Sequence, residues 1–328
     1  MRAYQYRCND YSLLTPPFKR WVITPLIKCV PWAIPANMIT FISNGIVYLT
    51  LFFALHPEIL GASTPLFISA GLLLYLIGDH LDGMQAKRTG TGSALGEFCD
   101  HYLDAFNNGV IVFTMFTVFN IDHKLVIAGV IVVSYWAHMA VFYEQFKTGW
   151  LTFEPVGSLE GVLLSALLIG LAYFQSVYNL LTYTFFQDYS IIEIFMILSA
   201  VGAVLTFYKT MKRTPDIKSG FLIFICLLSI TAALAIPFFT SFQLFVLLTL
   251  YSSLYIGRLM KGHLIDGVER STDYFTPLLL LILYMPSFSF TNYYFGILVA
   301  YLSISISFLV YTIFSTLKIY WVWLNLRT

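Results

Sequence analysis

The sequence predicts an all-α polytopic membrane protein, and three observations carry that expectation. First, 59% of its 328 residues are hydrophobic and only 11% are charged. Soluble domains carry about 25% charged residues, so this chain lacks the polar surface that a hydrated globule of its size requires, and a soluble enzyme is excluded. Second, apolar stretches of about 20 residues, the length that crosses a bilayer as a helix, recur about ten times. Third, cytoplasmic loops retain basic residues, and threading these spans from a cytoplasmic N-terminus leaves Lys124 alone on the far side, out of 18 Lys and Arg. Both termini then face the cytoplasm. The net charge of +1 gives no basic field for nucleic acid, so the expected partner is the membrane.

The opening residues are polar and aromatic and lack the apolar core of a signal peptide, so insertion rests on the first span. Residues 12–32 combine Leu13, Leu14, Phe18, Trp21, Val22, Ile23 and Ile27 with Lys19, Arg20 and Lys28, the composition of an amphipathic helix lying in the interface. Pro25 and Pro31 bend or end it. The spans are expected near 37–57, 65–86, 97–120, 123–146, 156–179, 190–211, 218–236, 238–260, 273–291 and 293–316. The basic residues that set the orientation include Arg2, Lys87, Arg88, Lys147, Lys318 and Arg327. Without repeats or a soluble insertion, the chain reads as one membrane domain over 1–328, with an interfacial segment at 1–34, catalytic helices at 35–200 and accessory helices at 201–328. The late spans, 190–316, carry almost no ionisable residues and read as a lipid-facing shell, a lipid chamber or a homodimer contact, while Arg258, Lys261, His263, Asp266 and Glu269 read as a solvated loop at a cytoplasmic span end. Cys8, Cys29, Cys99 and Cys226 are scattered with no CxxC spacing, which argues against a disulfide framework or zinc site.

Between the second and third spans, Asp79, Asp82, Glu97, Asp100 and Asp104 gather five of the chain's 17 acidic residues. Such a cluster at membrane depth needs cations. Asp79 and Asp82 lie about 60° apart on one helix face, and Glu97, Asp100, His101 and Asp104 fall within an arc of about 100° on the next. Two faces can then converge. Carboxylate oxygens suit magnesium, manganese or calcium, and two facing carboxylate pairs can hold two such ions and clamp phosphate oxygens between them. The small residues Gly83, Ala86 and Gly96, with the run Thr89 to Ser93, leave room for a nucleotide diphosphate. Lys87 supplies a charge for phosphate, and His101 beside carboxylates is placed for general-base work. The spacing alone leaves open a cation or proton pathway, or a structural polar network.

The order Asp79-x2-Asp82-Gly83-x2-Ala86-Lys87-x8-Gly96-x3-Asp100-x3-Asp104 resembles the signature of the CDP-alcohol phosphotransferases, DxxDGxxAR, eight residues, GxxxDxxxD. Lys87 stands where the family usually has Arg, keeping the charge but losing the planar fork that grips phosphate; Arg88 follows it. The segment GEFCDHYLD at 96–104 is similar to the GELFDHGLD of the choline and ethanolamine phosphotransferase branch. YQYRCNDYSLLT at 4–15 is a further likeness near the start, PANMIT at 35–40 resembles PNLIT, QFKTG at 145–149 resembles EYHTG, and LEG at 159–161 resembles VEG.

The resemblance implies transfer of phosphocholine or phosphoethanolamine from a CDP-aminoalcohol to diacylglycerol or an alkyl-acyl analogue, with two Mg2+ or Mn2+ ions held by Asp79, Asp82, Asp100 and Asp104. Another branch of the family, with inositol, glycerol phosphate or serine as acceptor, is the alternative, and the GExxDH segment argues against it. The resemblance also implies a CDP site lined by Asn37, Asp82, Gly83, Ala86, Lys87 and Gly96, although Asn37 serves equally as a helix N-terminal residue after Pro35. Glu97 and His101 match the pair assigned to deprotonation in this branch, and Asp104 is the second candidate base. Such an enzyme would sit in an endoplasmic reticulum or Golgi membrane, or a bacterial inner membrane, with its site towards the cytoplasm. An aromatic cage with a carboxylate would suit a trimethylammonium group. Tyr102, Tyr135, Trp136, Tyr143 and Trp150, with Glu144 or Glu160, are the candidates, and ordinary packing is the simpler account of the aromatics.

Overall fold

The computed structural model describes residues 6–186, 188–285 and 291–317. Arg2, Lys318 and Arg327 of the basic set, Tyr4 and Gln5 of the leading motif, and residues 286–290 of the ninth expected span lie outside the described residues. The protein is mostly helical. A helical run opens it: α1 (Thr15–Phe18), a π-turn at Lys19–Ile23 and α2 (Thr24–Leu26). The wider turn falls just before Pro25, whose ring cannot follow a regular α-helical turn. Trp21 and Trp32 are left exposed.

The expected spans fall on helices. α3 (Ala36–Leu55), α4 (Thr64–Thr89), α5 (Ala94–Val118) and α6 (Lys124–Thr148) match the first four. The fifth is broken into α7 (Ser158–Leu171) and α8 (Gln175–Leu181). α9 (Ile191–Arg213), α10 (Ser219–Ala235) and α11 (Ser241–Lys261) follow. The ninth is a short α12 (Phe275–Leu280) running into a 3-10 turn at Leu281–Tyr284, and α13 (Thr291–Thr316) is the tenth. Among the described residues, 6 helices are long and apolar enough to cross a membrane; α7, α10 and α12 with its extension are apolar but shorter. The chain is a multi-pass membrane protein.

The contacts divide into two compact units, one comprising the residues up to Ile121 with Thr152–Ile192, the other Asp122–Leu151 with Glu193–Leu317. In the first, α4 lies against α3 and α7. Glycine makes that approach close: a Cβ on Gly78 would stand 2.5 Å from the Ser43 Cβ, and one on Gly71 would stand 2.5 Å from the Thr50 Cγ2. The Ser69 hydroxyl donates to the Ala166 carbonyl at 2.7 Å, joining α4 to α7. Helix association in lipid depends on such small-residue contacts and hydrogen bonds. The N-terminal strap is tied down by Tyr11 N–H to the Phe153 carbonyl and Leu13 N–H to the Pro155 carbonyl, both 3.1 Å. A short antiparallel pair, Thr184–Phe186 with Tyr189–Ser190, ends the unit.

In the second unit, α11 is the core helix rather than part of a lipid-facing shell. Its apolar window is 72% buried, against 17% for α9 and 22% for α13. Phe224 stacks on Tyr255 at 4.0 Å and Phe221 on Tyr143 at 4.2 Å, filling the space between α10, α11 and α6. The charged stretch after α11 is not simply solvated either. Glu269 is half-buried, paired with Lys147 at 2.7 Å, and accepts from the Tyr143 hydroxyl at 3.0 Å. Hydropathy missed this because its partners lie more than a hundred residues away in the chain.

Candidate active site

The site is carried by the α4–α5 hairpin of the first unit. α4 ends at Gly90, whose φ of 68° is the left-handed conformation that glycine adopts without strain. Lys87 and Arg88 occupy its last turn, where cations complement the helix dipole. Three residues beyond Gly90, the Ser93 hydroxyl accepts from the Gly96 N–H at 3.1 Å and caps α5, whose first turn holds Glu97. The short turn makes the two carboxylate-bearing helices neighbours.

One oxygen from each of Asp79, Asp100 and Asp104 lies within 4.8 Å of the others. Among the described residues no Lys or Arg pairs with any of them; the basic groups beside them are imidazoles, His80 at 3.4 Å from Asp79 and His101 at 3.9 Å from Asp100. Unanswered carboxylates this close repel one another, and the donor set is that of a hard divalent cation. The residues therefore fit a metal ion. Asp82, the fourth expected ligand, stands outside this group. Its Oδ2 accepts from the Thr40 hydroxyl and its Oδ1 from the Gly83 N–H, both at 2.5 Å.

The aspartates are held by a relay through α3 that sequence reasoning missed. Thr40 bonds Asp82, and its backbone carbonyl accepts from the Asn44 amide at 2.7 Å. The Asn44 carbonyl accepts from the Asn107 amide at 2.5 Å, and Asn107 also lies 3.3 Å from Asp104 Oδ1. The Tyr75 hydroxyl donates to the same Asp104 oxygen at 2.8 Å. The available signal was two buried asparagines inside apolar spans, since such groups are costly there unless bonded.

His101 sits between Glu97 and Asp100, with Nδ1 3.9 Å from the Glu97 carboxylate and Nε2 3.9 Å from the Asp100 carboxylate. Both His101 and Glu97 are buried. The Tyr6 ring lies over the imidazole with centroids 5.7 Å apart, a contact that nothing in the spacing of the strap foretold.

The residues expected at the nucleotide site are partly gathered. A Cβ on Gly96 would meet the Asn37 carboxamide oxygen at 3.3 Å, so those two are neighbours, and Gly83 has open space where a side chain would be. Lys87 is exposed and Ala86 half-buried. Arg88 is committed elsewhere. Its guanidinium donates to the carbonyls of Ile27 and Val30, both at 2.6 Å, and lies over the Trp32 ring at 4.7 Å. With Gln85 bonding the Pro31 and Ile34 carbonyls, it clamps the pre-helix segment to α4 and leaves Lys87 as the free-reaching cation.

The candidate aminoalcohol carboxylates are also engaged. Glu144 is bidentate with Arg213, and Glu160 takes the Ser12 hydroxyl at 2.5 Å and the N–H groups of Leu14 and Gly157. Tyr102 stacks on Phe98 at 4.9 Å, and Trp136 packs against Phe207 at 5.8 Å.

A family model described as CDP-alcohol phosphatidyltransferase matches residues 33–208, more than half of the chain and all of the carboxylate hairpin. An uncharacterized CDP-alcohol phosphatidyltransferase class-I family protein of Schizosaccharomyces pombe is 30% identical over 180 residues, 50% of this chain and 44% of the relative. Choline/ethanolaminephosphotransferase 1 of Saccharomyces cerevisiae is 25% identical over 211 residues, 59% of this chain and 52% of its own length. A CDP-diacylglycerol–serine O-phosphatidyltransferase of Encephalitozoon cuniculi is 29% identical over 111 residues, 32% of this chain and 28% of the relative. The chain spans about half or less of these relatives. Through the matched region and the aspartate motif at its centre, the chain belongs to the CDP-alcohol phosphatidyltransferase family.

Proposed function

We propose that this protein transfers phosphocholine or phosphoethanolamine from CDP-choline or CDP-ethanolamine to the hydroxyl of diacylglycerol or an alkyl-acyl analogue, releasing CMP. The observation that carries the reading is the meeting of Asp79, Asp100 and Asp104 within 4.8 Å, unanswered by Lys or Arg among the described residues, beside a buried histidine flanked by Glu97. Two Mg2+ or Mn2+ ions bound there would neutralise the diphosphate and the charge that develops on its bridging oxygen. Asp79, Asp100 and Asp104 hold the cations, and Asp82, fixed by Thr40, completes the anionic wall. Asn37, Gly83, Ala86 and Gly96 line the nucleotide, with Lys87 reaching its phosphate.

His101, oriented by Glu97, accepts the proton of the glycerol hydroxyl. The resulting oxygen forms a bond to the phosphorus bearing the aminoalcohol as the bond from that phosphorus to CMP breaks in line. Asp104 is less suited to take the proton, because its Oδ1 already accepts from Tyr75 and lies beside Asn107. Catalysis is then mainly positioning and electrostatics. The catalytic face is towards the cytoplasm, where CDP-alcohols dissolve.

The serine-acceptor relative favours a second reading, in which CDP-diacylglycerol is the nucleotide. Detergent-purified protein given diacylglycerol and a divalent ion, with CDP-choline, CDP-ethanolamine, or CDP-diacylglycerol plus serine, separates them by CMP release. Metal-dependent CMP with an aminoalcohol nucleotide is expected. CMP with CDP-diacylglycerol and serine alone would replace the proposal by the second reading.

A further inference from the structure

We infer that the second unit carries a binding site for the phosphate of an anionic phospholipid, in the open cavity between the end of α11, the loop leading into α12 and the middle of α13. The cavity holds about 590 Å³ and is lined by Arg258, Arg270, Thr272, Asp273, Phe275 and Tyr301, among others. That is room for a phosphate with its glycerol.

Its ionised groups differ in how far their hydrogen-bonding capacity is met within the protein. Arg270 is consumed by Asp266, its i−4 neighbour. Asp273 is also spent: Oδ2 accepts from the Thr276 N–H at 3.0 Å and hydroxyl at 2.5 Å, while Oδ1 accepts from the Tyr301 hydroxyl at 2.7 Å and the Phe275 N–H at 3.3 Å. Arg258 makes one hydrogen bond, Nη1 to the Ser271 carbonyl at 2.7 Å, and no ion pair among the described residues. The rest of its planar fork is available to a tetrahedral oxyanion, the geometry guanidinium matches best.

The flank identifies the carrier. On the same short helix Phe275 is 64% exposed and Leu278 59% exposed, so an apolar surface begins at the cavity mouth. A guanidinium in a pocket with an apolar border, in a multi-pass membrane protein, is the arrangement that takes an acidic lipid head group with its chains alongside. A free phosphate would gain nothing from that border.

The test uses the full chain in detergent and reads thermal stability and native mass spectra on titration with phosphatidylglycerol, phosphatidylcholine or inorganic phosphate. Phosphatidylglycerol is expected to bind and raise the melting temperature, with the other two having little effect. Arg258→Gln should weaken phosphatidylglycerol by about tenfold or more, the loss of a charge-assisted contact, and Arg258→Lys by less. Phe275→Glu, at an exposed position at the cavity mouth, should weaken it independently by repulsion. Unchanged lipid binding in both Arg258→Gln and Phe275→Glu would overturn the proposal, as would binding of inorganic phosphate as strong as that of the lipid, or no response to phosphatidylglycerol at all.

Discussion

The acidic residues of the two units live under opposite rules. In the second unit the buried carboxylates have their partners built in: Glu144 has Arg213, Glu269 has Lys147 and Glu193 has His123, while Asp273 is met by the hydroxyls of Thr276 and Tyr301 and by backbone N–H groups. In the first unit, three aspartates approach within 4.8 Å with no Lys or Arg among the described residues to meet them. Burying an ion costs several kcal/mol unless it is paired, so the first arrangement stabilises the helices around it and the second costs stability. A fold keeps such a cost where a cation from solution is to complete the set. The contrast separates structural charge from working charge without reference to any relative.

The strongest way to break this contrast is to exchange the two kinds of acid. Asp100→Asn removes a carboxylate that no Lys or Arg among the described residues pairs with. CMP release should fall by about 10³-fold or more, and divalent ions should no longer raise the melting temperature. Glu144→Gln is the opposite case. It should lower stability by about 2–3 kcal/mol, the worth of a hydrogen bond to a charged partner, while the response to divalent ions persists. Equal loss of metal response in both variants would remove the distinction.

Next in size is the histidine. His101→Ala should reduce turnover by about 10²- to 10⁴-fold, the range of general-base contributions, while CDP binding, followed by calorimetry in the presence of metal, stays within a few-fold. Near-normal turnover would move the proton to Asp104.

These residues were legible because their chemistry is written in helical spacing. Asp79 and Asp82 are three apart, Asp100 and Asp104 four apart, and a helix turns such pairs onto one face. Six of the ten expected spans were legible for a similar reason, since hydropathy needs only a local window; they are the helices long and apolar enough to cross a membrane among the described residues. What stayed hidden depended on distant partners or on hydrogen-bond paths. The fifth span reads as continuous from 156 to 179, yet α7 stops at Leu171 and α8 starts at Gln175; apolar composition alone does not say where the backbone ladder breaks. Asn44 and Asn107 are 63 residues apart, and no window joins them. Arg88 looked able to share the work of Lys87, but its guanidinium is used on the carbonyls of Ile27 and Val30, a pairing decided by how the pre-helix segment folds back.

The Asn relay gives a smaller, sharper prediction. Asn107→Ala should leave all four aspartates in place but loosen Asp104 and the Asn44 end of the relay, weakening divalent affinity by about 10- to 100-fold, the usual effect of losing an outer partner of a metal ligand. Excess metal should then restore much of the activity, which it would not do for Asp100→Asn. The metal dependence of CMP release distinguishes the two.

The smallest effect belongs to the strap. Tyr6 packs against the site with its ring 5.7 Å from that of His101, and aromatic contacts of this kind are worth about 0.5–1.5 kcal/mol. Tyr6→Phe keeps the ring and should turn over nearly as the parent does. Tyr6→Ala removes it and should lower kcat by roughly threefold to tenfold, the same energy expressed as a rate, with KM for the nucleotide little changed. The strap is fastened independently by Tyr11, Ser12 and Leu13, so the loss would report on the imidazole and not on a detached N-terminus. Equal kcat in the alanine and phenylalanine variants would mean that the ring merely covers the histidine, and that Glu97 with Asp100 suffices to aim it.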